Sequence, residues 1–457
     1  MKHVRLAAFA LLALLFSGRQ AAAYSLLTHE QLIDLTWQDS IVPLLLSRYP
    51  NLSAADLDRA RAYAYGGCVI QDIGYYPFGD HSFSNLTHYV RAGDFVVNLF
   101  RNANNANELA FAIGALSHYI GDTVGHAEAT NRAVPVEFPK LRAKYGPVVN
   151  YAEGKHQHVQ TEFAFDIDEI VHHRVAPLRY LRHIGLRVPV KQLALAYYQT
   201  YGLTENFSRR NRRFNVRGYR FAVRTFIPRI AYSVTLLHRK NEPPDATTPD
   251  AIEVQKEAAN VAAINHWDSY RTGKPRFETY LLTGVLFILP KVGPLSLVAV
   301  KGPTVDTEAD YMHSVAQSTA ALRIALDRFT PVAARHAPPA GAIALATPFG
   351  PRDPRHPLPN RDLDTGHVVQ PGGYPLTDST YADLLHQLVA TPAQPIPPGI
   401  KRDVQAYYAD LNLPITTKKD PAKWEQVQAD LKTLDTMPTS TEPQPYPTYG
   451  DDAGTDQ

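Results

Sequence analysis

Apolar residues recur at three- and four-residue spacings over most of the stretch from Thr28 to about Arg239, the period of helices with one buried face. The pattern predicts helices over residues 29–40 and 39–49, with Pro43 placed to kink or break the second. Residues 53–65 open on Ser53-Ala54-Ala55-Asp56, a start resembling a capping box. Residues 75–84, rich in Pro, Gly, Asp and Ser, read as a loop. A further helix covers 89–101 and stops at an Asn-rich turn over 102–107; the most regular pattern in the chain follows at 108–122. No clear period runs through 181–189. Residues 190–201 and 217–237 are helical again, the latter kinked near Pro228.

Beyond this stretch the pattern weakens. Residues 242–250, rich in Pro and Asp, read as a linker, and helices are predicted at 248–270 and 307–329. Between them, residues 281–300 are very apolar. Pro290, Lys291, Gly293 and Pro294 interrupt the run, which argues against a membrane span and for a buried hairpin, or else a loop that touches a membrane. Pro and Gly dominate from Pro331 to Ile400, with short helices expected at 379–389, 403–411 and 421–431. The fold expected is all-α with a Pro-rich, partly irregular C-terminal extension. Its parts are a helical domain over 24–240, further helices packed on it over 241–330, the extension over 331–437 and a disordered tail over 438–457.

The first residues change the picture. Lys2, His3 and Arg5 precede an unbroken apolar run over 6–16, and Ala21-Ala22-Ala23 forms a small-residue cleavage site: a secretory signal peptide over 1–23. The run is too short to span a bilayer. Cleavage after Ala23 makes Tyr24 the new N-terminus, and the protein is expected to be secreted or periplasmic. A net charge of +2 demands neither nucleic acid nor a membrane as partner. Cys68 is the single cysteine, so no internal disulfide forms and stability must come from an apolar core, which a 45% hydrophobic share permits. Its setting, Gly66-Gly67-Cys68-Val69-Ile70, suits a buried inert thiol.

The chemistry concentrates in two helical patterns, His118-x3-Asp122-x3-His126 and His158-x3-Glu162. Residues four apart share a helix face, so His118 and Asp122 point one way together, as do His158 and Glu162. Imidazole and carboxylate are the donors that zinc takes where thiolates are absent. His29, Asp72, His81 and His88 lie upstream and complete the inventory. Glu128 and Glu153 are near enough in sequence to steady ligand histidines. Tyr75-Tyr76-Pro77-Phe78 offers an aromatic lip or a core contact, and seven arginines between Arg209 and Arg224 offer a basic face; His172-His173 reads as surface.

Taken in order, Tyr24-x4-His29, Gln71-Asp72-Ile73-Gly74, His81-x6-His88-Tyr89, Ser117-His118-x3-Asp122-x3-His126 and His158-x3-Glu162 resemble the zinc-dependent phospholipase C family, related to the fungal single-strand-specific zinc nucleases. The likeness runs from Tyr24 to about Asp166 and is nearest to the branch containing glycosylphosphatidylinositol-specific phospholipase D, which the short step from Asp122 to His126 also resembles. It implies a helical domain holding about three zinc ions. One would use Asp72, His118, Asp122 and either His88 or His81, with His88 preferred because an aromatic follows it as in the family motif; a second, His126, His158 and Glu162. The third would use His29, Asp122 as a bridge, and the α-amino nitrogen and carbonyl oxygen of Tyr24. The smaller family members usually begin with Trp, but main-chain ligands tolerate Tyr24.

The resemblance implies a zinc phosphodiesterase, first of all a phospholipase C acting on phospholipid headgroups through metal-activated water, with Asp72 orienting or deprotonating that water. The alternatives are a single-strand-specific nuclease on the same scaffold and a non-catalytic metal-holding protein. Phospholipid is the expected substrate, with peripheral membrane contact and no stable nucleic-acid partner.

Overall fold

The residues from Ala106 to Gly125 carry no polar face for water, and as a helix they become the element on which most others pack. Every one of them but Asn107 and Glu108 is buried. Asn105 starts the helix, its side-chain oxygen accepting from the backbone N–H of Asn107 and of Glu108.

The computed structural model describes residues 26–75, 79–205, 207, 219, 220, 223, 227–238, 245–271, 302–329 and 358–441. In chain order the helices are α1 (Leu26–Thr36), α2 (Val42–Arg48), α3 (Ala54–Gly67), α4 (His81–Tyr89), α5 (Ala92–Arg101), α6 (Ala106–Gly125), α7 (Asn131–Glu137), α8 (Pro139–Tyr145) and α9 (Lys155–Val171). There follow α10 (Leu178–Ile184), α11 (Val190–Tyr201), α12 (Ile227–His238), α13 (Pro249–Ile264), α14 (Trp267–Arg271), α15 (Val305–Phe329), α16 (Pro375–Val389), α17 (Pro398–Tyr407) and α18 (Pro421–Thr436). Among the described residues extended pairing is limited to two isolated bridges, Arg361 with Val368 and Ile396 with Thr439, and the fold is all-α.

Local chemistry sets the boundaries. Pro43 sits in the first turn of α2, behind a π-helical turn over Trp37–Ile41, so the predicted kink takes the form of a widened turn. Ser53 and Asp56 cap α3 reciprocally. Arg91, at φ +50°, ends the continuity expected over 89–101 and separates α4 from α5; its guanidinium is held by Asp94 and by the Thr200 carbonyl. The loop expected over 75–84 is shorter than that, because Asp80 caps a helix that begins at His81. A helix of two turns, α10, lies where no period was legible.

Helices α3 and α6 meet backbone to backbone. A Cβ on Gly67 would stand 2.1 Å from the Phe111 carbonyl oxygen, and one on Gly114 2.2 Å from that of Ala64. This contact delivers the end of α3 to the middle of α6.

Among the described residues the main apolar core cluster includes residues from Leu26 to Met437, so the described residues after 357 share it with the helices before them. Helix α16 packs on both α4 and α18, and Met437 and Thr439, expected at the edge of disorder, belong to the core and to a bridge with Ile396. No helix among the described residues is long and apolar enough to cross a membrane. Residues 1–25, 76–78, 281–300, 442–457 and, Arg220 apart, the arginines from Arg209 to Arg224 lie outside the described residues, and the expectations for them stand as they are.

Candidate metal centre

Five elements bring the candidate donors together. Helix α1 carries His29, and the amides of its first turn, which have no partner within the helix, are satisfied from α9: Leu27 N–H and Thr28 N–H donate to the Asp166 carboxylate at 3.1 and 3.2 Å. A 3₁₀ turn over Gln71–Gly74 carries Asp72, α4 carries His88, α6 carries His118 and Asp122, and α9 carries His158 and Glu162. At the end of α6 the helix widens into a π turn over His126–Thr130, a distortion frequent at functional sites, and His126 opens it.

The result is two abutting clusters. In the first, Asp122 lies between three imidazoles: its Oδ1 is 3.2 Å from His29 Nε2, and its Oδ2 is 3.1 Å from His118 Nε2 and 3.3 Å from His88 Nε2. Asp72 Oδ1 is 3.2 Å from His88 Nε2 and 3.9 Å from His118 Nε2. In the second, Glu162 Oε1 is 2.9 Å from His158 Nδ1 and 3.3 Å from His126 Nε2. All eight side chains are buried.

The arrangement fits divalent cations on three counts. Two donors each about 2.1 Å from a tetrahedral ion stand about 3.4 Å apart, close to the separations seen. Asp72 Oδ1, both oxygens of Asp122 and of Glu162, and His158 Nδ1 are buried without a hydrogen bond of good geometry, an arrangement that costs free energy unless something else binds them. The electrostatics agree. Burial pushes Glu162 up to about 8, despite His126 nearby, and pushes His158 down to about 4, leaving it the neutral imidazole that ligates metals. Burial also works to lower His88, but the Asp122 and Asp72 carboxylates beside its Nε2 favour the protonated ring and raise it to about 10. Asp122 moves the opposite way from its own burial, well below the usual carboxylate range, because His118 and His126 flank it.

Residues 28–206 match the model of the family described as zinc dependent phospholipase C. This stretch belongs to that family. The match is to the family as a whole and selects no branch within it; no curated protein and no solved structure matches the chain. The family is zinc-dependent and hydrolytic, which agrees with the donor set.

Within the phospholipase C stretch, the structure sets His88 rather than His81 beside Asp72. His81, two turns earlier on α4, is half-buried with its ring 5.7 Å from that of Tyr75, and it joins neither cluster. Tyr24 lies outside the described residues. Tyr75 is buried with Tyr151 and Val159, its ring 5.2 Å from that of His88. Cys68 is buried and its thiol pushed well up by burial; its carbonyl, brought in by the α3–α6 contact, accepts from His118 Nδ1 at 2.9 Å.

The outer contacts were not legible in the sequence. Glu128 pairs with Arg132 and Glu153 closes a turn with Asn150, so neither steadies a ligand. Carbonyls of Ser84, Cys68 and Leu363 and the side chain of Asn131 do so instead, at 2.7 to 2.9 Å. Asp364 lies 3.9 Å from His126 Nδ1 and accepts from Tyr89 and Tyr374 hydroxyls at 2.9 and 2.6 Å. His172 is not plain surface: it is half-buried, 3.4 Å from Asp168 and 3.5 Å from Asp245.

Proposed function

We propose that the protein is a secreted or periplasmic zinc-dependent phosphodiesterase, a phospholipase C that hydrolyses the headgroup phosphodiester of phospholipids. One observation carries the reading. Five histidines and three carboxylates, drawn from separate segments that fall within the family stretch, meet in two abutting buried clusters. When bound, zinc supplies positive charge to phosphate oxygens and lowers the pKa of water towards neutrality. Asp72, His88, His118 and Asp122 would hold one ion, and His126, His158 and Glu162 a second. A third would lie with His29, Asp122 and the main chain of Tyr24, whose amine is free only after cleavage behind Ala23.

The proton falls to Asp72. Its carboxylate orients the attacking water and takes a proton from it as the new oxygen–phosphorus bond forms, and that proton passes to the leaving oxygen as its bond to phosphorus breaks. Asp122, between His29, His88 and His118, keeps three imidazoles facing one space. Tyr75 closes the side next to His88 against water.

The exposed positions following Asn131 suit peripheral membrane contact. Val136 and Val148 are 43% and 51% exposed, and between them α8 presents Lys140, Arg142 and Lys144 to solvent. Exposed cations on a segment with exposed valines match an anionic headgroup layer.

The test offers phospholipid vesicles and single-stranded nucleic acid to one zinc-loaded preparation of the processed protein. Release of phosphorylated headgroup and diacylglycerol supports the reading. Release of nucleotides alone would replace it with a nuclease, and no turnover at full zinc occupancy with a non-catalytic metal-holding protein.

A further inference from the structure

The family stretch ends at residue 206, yet two donors of the second cluster are oriented by backbone far beyond it. His126 Nδ1 lies 2.8 Å from the carbonyl oxygen of Leu363. The next carbonyl along, that of Asp364, accepts from Asn131 Nδ2 at 2.8 Å, and Asn131 Oδ1 lies 2.9 Å from His158 Nε2. A neutral imidazole that donates at one nitrogen keeps its lone pair on the other. Leu363 therefore leaves the lone pair of His126 on Nε2, while Asn131 leaves that of His158 on Nδ1. Those are the two nitrogens that face Glu162 Oε1.

The loop that carries these carbonyls is itself fixed from both sides. Inside it, Thr365 N–H donates to the Asp362 carboxylate at 2.8 Å and Gly366 N–H to the Asp362 carbonyl at 3.0 Å. Gly366 has φ +73°, and a Cβ there would lie 2.6 Å from the Thr123 carbonyl oxygen, so the loop rests directly on the end of α6. On its other side Leu363, fully buried, donates its N–H to the His88 carbonyl at 3.1 Å. The Asp364 carboxylate is gripped by the hydroxyls of Tyr89 and Tyr374.

We propose that the loop from Asp362 to Gly366 is the template of the second metal site. Its consecutive carbonyls set the two histidines in opposite tautomers, so that His126 presents Nε2 and His158 presents Nδ1 to one cation shared with Glu162. Asn131, Leu363 and Asp364 are positioning residues: they act on the ligands and touch no substrate. The proposal rests on reading the cluster as a cation site and is independent of which phosphodiester is cleaved.

The test uses the full processed chain with labelled histidine nitrogens. In the metal-free protein, long-range proton–nitrogen correlation spectra should show His126 protonated at Nδ1 and His158 at Nε2. Zinc competition against a chelator then reads the affinity of the second site. Asn131→Ala and Gly366→Val should each weaken it about 10- to 100-fold, leaving the first site at wild-type affinity. Asn131→Asp, which keeps an acceptor for His158, should keep the His158 tautomer, and this separates orientation from folding. The opposite tautomer at either histidine, or wild-type affinity in a folded Asn131→Ala protein, overturns the proposal. Expected tautomers and zinc affinities with no turnover of phospholipid would instead leave it standing and remove the proposed activity.

Discussion

Helix α9 borders two buried clusters of carboxylate and histidine, and they are neutralised in opposite ways. Towards its C-terminal end, Asp168 and Glu169 are met by the Arg174 guanidinium at 2.6 and 2.8 Å, with Glu308 at 3.1 Å and Asp245 alongside. Two turns back, Glu162 is surrounded by imidazoles; among the described residues no arginine or lysine reaches it, Asp72 or Asp122. A buried carboxylate needs a positive partner. One cluster carries a guanidinium in the chain; the other has only imidazoles, and its donors are those that suit a divalent cation. For the same reason the group Asp168, His172 and Glu308, although its donor atoms lie close together, is read as an ion network and not as a metal site.

Chelation should separate the two clusters most sharply. Stripping metal from the processed protein is expected to reduce phospholipid turnover to background, with zinc restoring it, while the Arg174 network remains intact. A stripped protein of undiminished activity would deny the difference between the clusters. Replacing the internal cation is the counterpart. Arg174→Met should cost about 3–5 kcal/mol in urea unfolding by leaving carboxylates buried and unpaired, and added zinc should not recover that loss.

Charge in the first cluster gives the next test. Asp122→Asn keeps the shape and loses the charge that three imidazoles share, so turnover should fall about 10²–10³-fold, further than for His29→Ala. Equal rates in the Asn variant and wild type would rule out a shared carboxylate. One extra residue ahead of Tyr24 puts an amide where the amine stood; it should lower zinc content by about one ion per chain, whereas Tyr24→Phe should not. Equal zinc in the extended and cut forms would remove Tyr24 from the ligand set.

The smallest effect is one of pH. Burial works to lower His172, but its hydrogen bond to Asp168 and that carboxylate's charge raise it to about 9 from 6.5. Its folded pKa thus exceeds its unfolded one, so the stability it contributes is present below 6.5 and lost as pH rises through about 9. The difference in thermal midpoint between wild type and His172→Gln should therefore shrink across that window. A constant difference would mean that the imidazole carries no charge in the network.

The sequence was most legible where chemistry follows helical period. His118 with Asp122 and His158 with Glu162 needed only the spacing of four, residues 53–56 displayed both halves of their cap, and α11 runs over the residues its periodicity indicated. His88 was preferred over His81 because Tyr89 follows it, and the fold adds the physical reason: both lie on α4, but only His88 meets the turn carrying Asp72. The outer contacts left no trace. A backbone carbonyl has no residue identity, and Leu363 reads as one more apolar position in a Pro-rich stretch. His172 was misread for a related reason: Glu308 and Asp245, which explain it together with Arg174, lie on remote segments. Helix α10 was missed because two turns are too few to show a period.

The hydrogen bond from His126 to Leu363 spans 237 positions, and that from Asn131 to Asp364 spans 233. Every proposed side-chain ligand is synthesised by residue 162; the groups that aim two of them are made some two hundred residues later. Contacts so distant cannot form until the chain has been made as far as Asp364. A chain that stops short of Leu363 therefore holds all its side-chain donors and lacks the contacts that orient His126 and, through Asn131, His158. Under the proposed function, an incomplete copy would carry a second site whose His126 and His158 are not held by the loop.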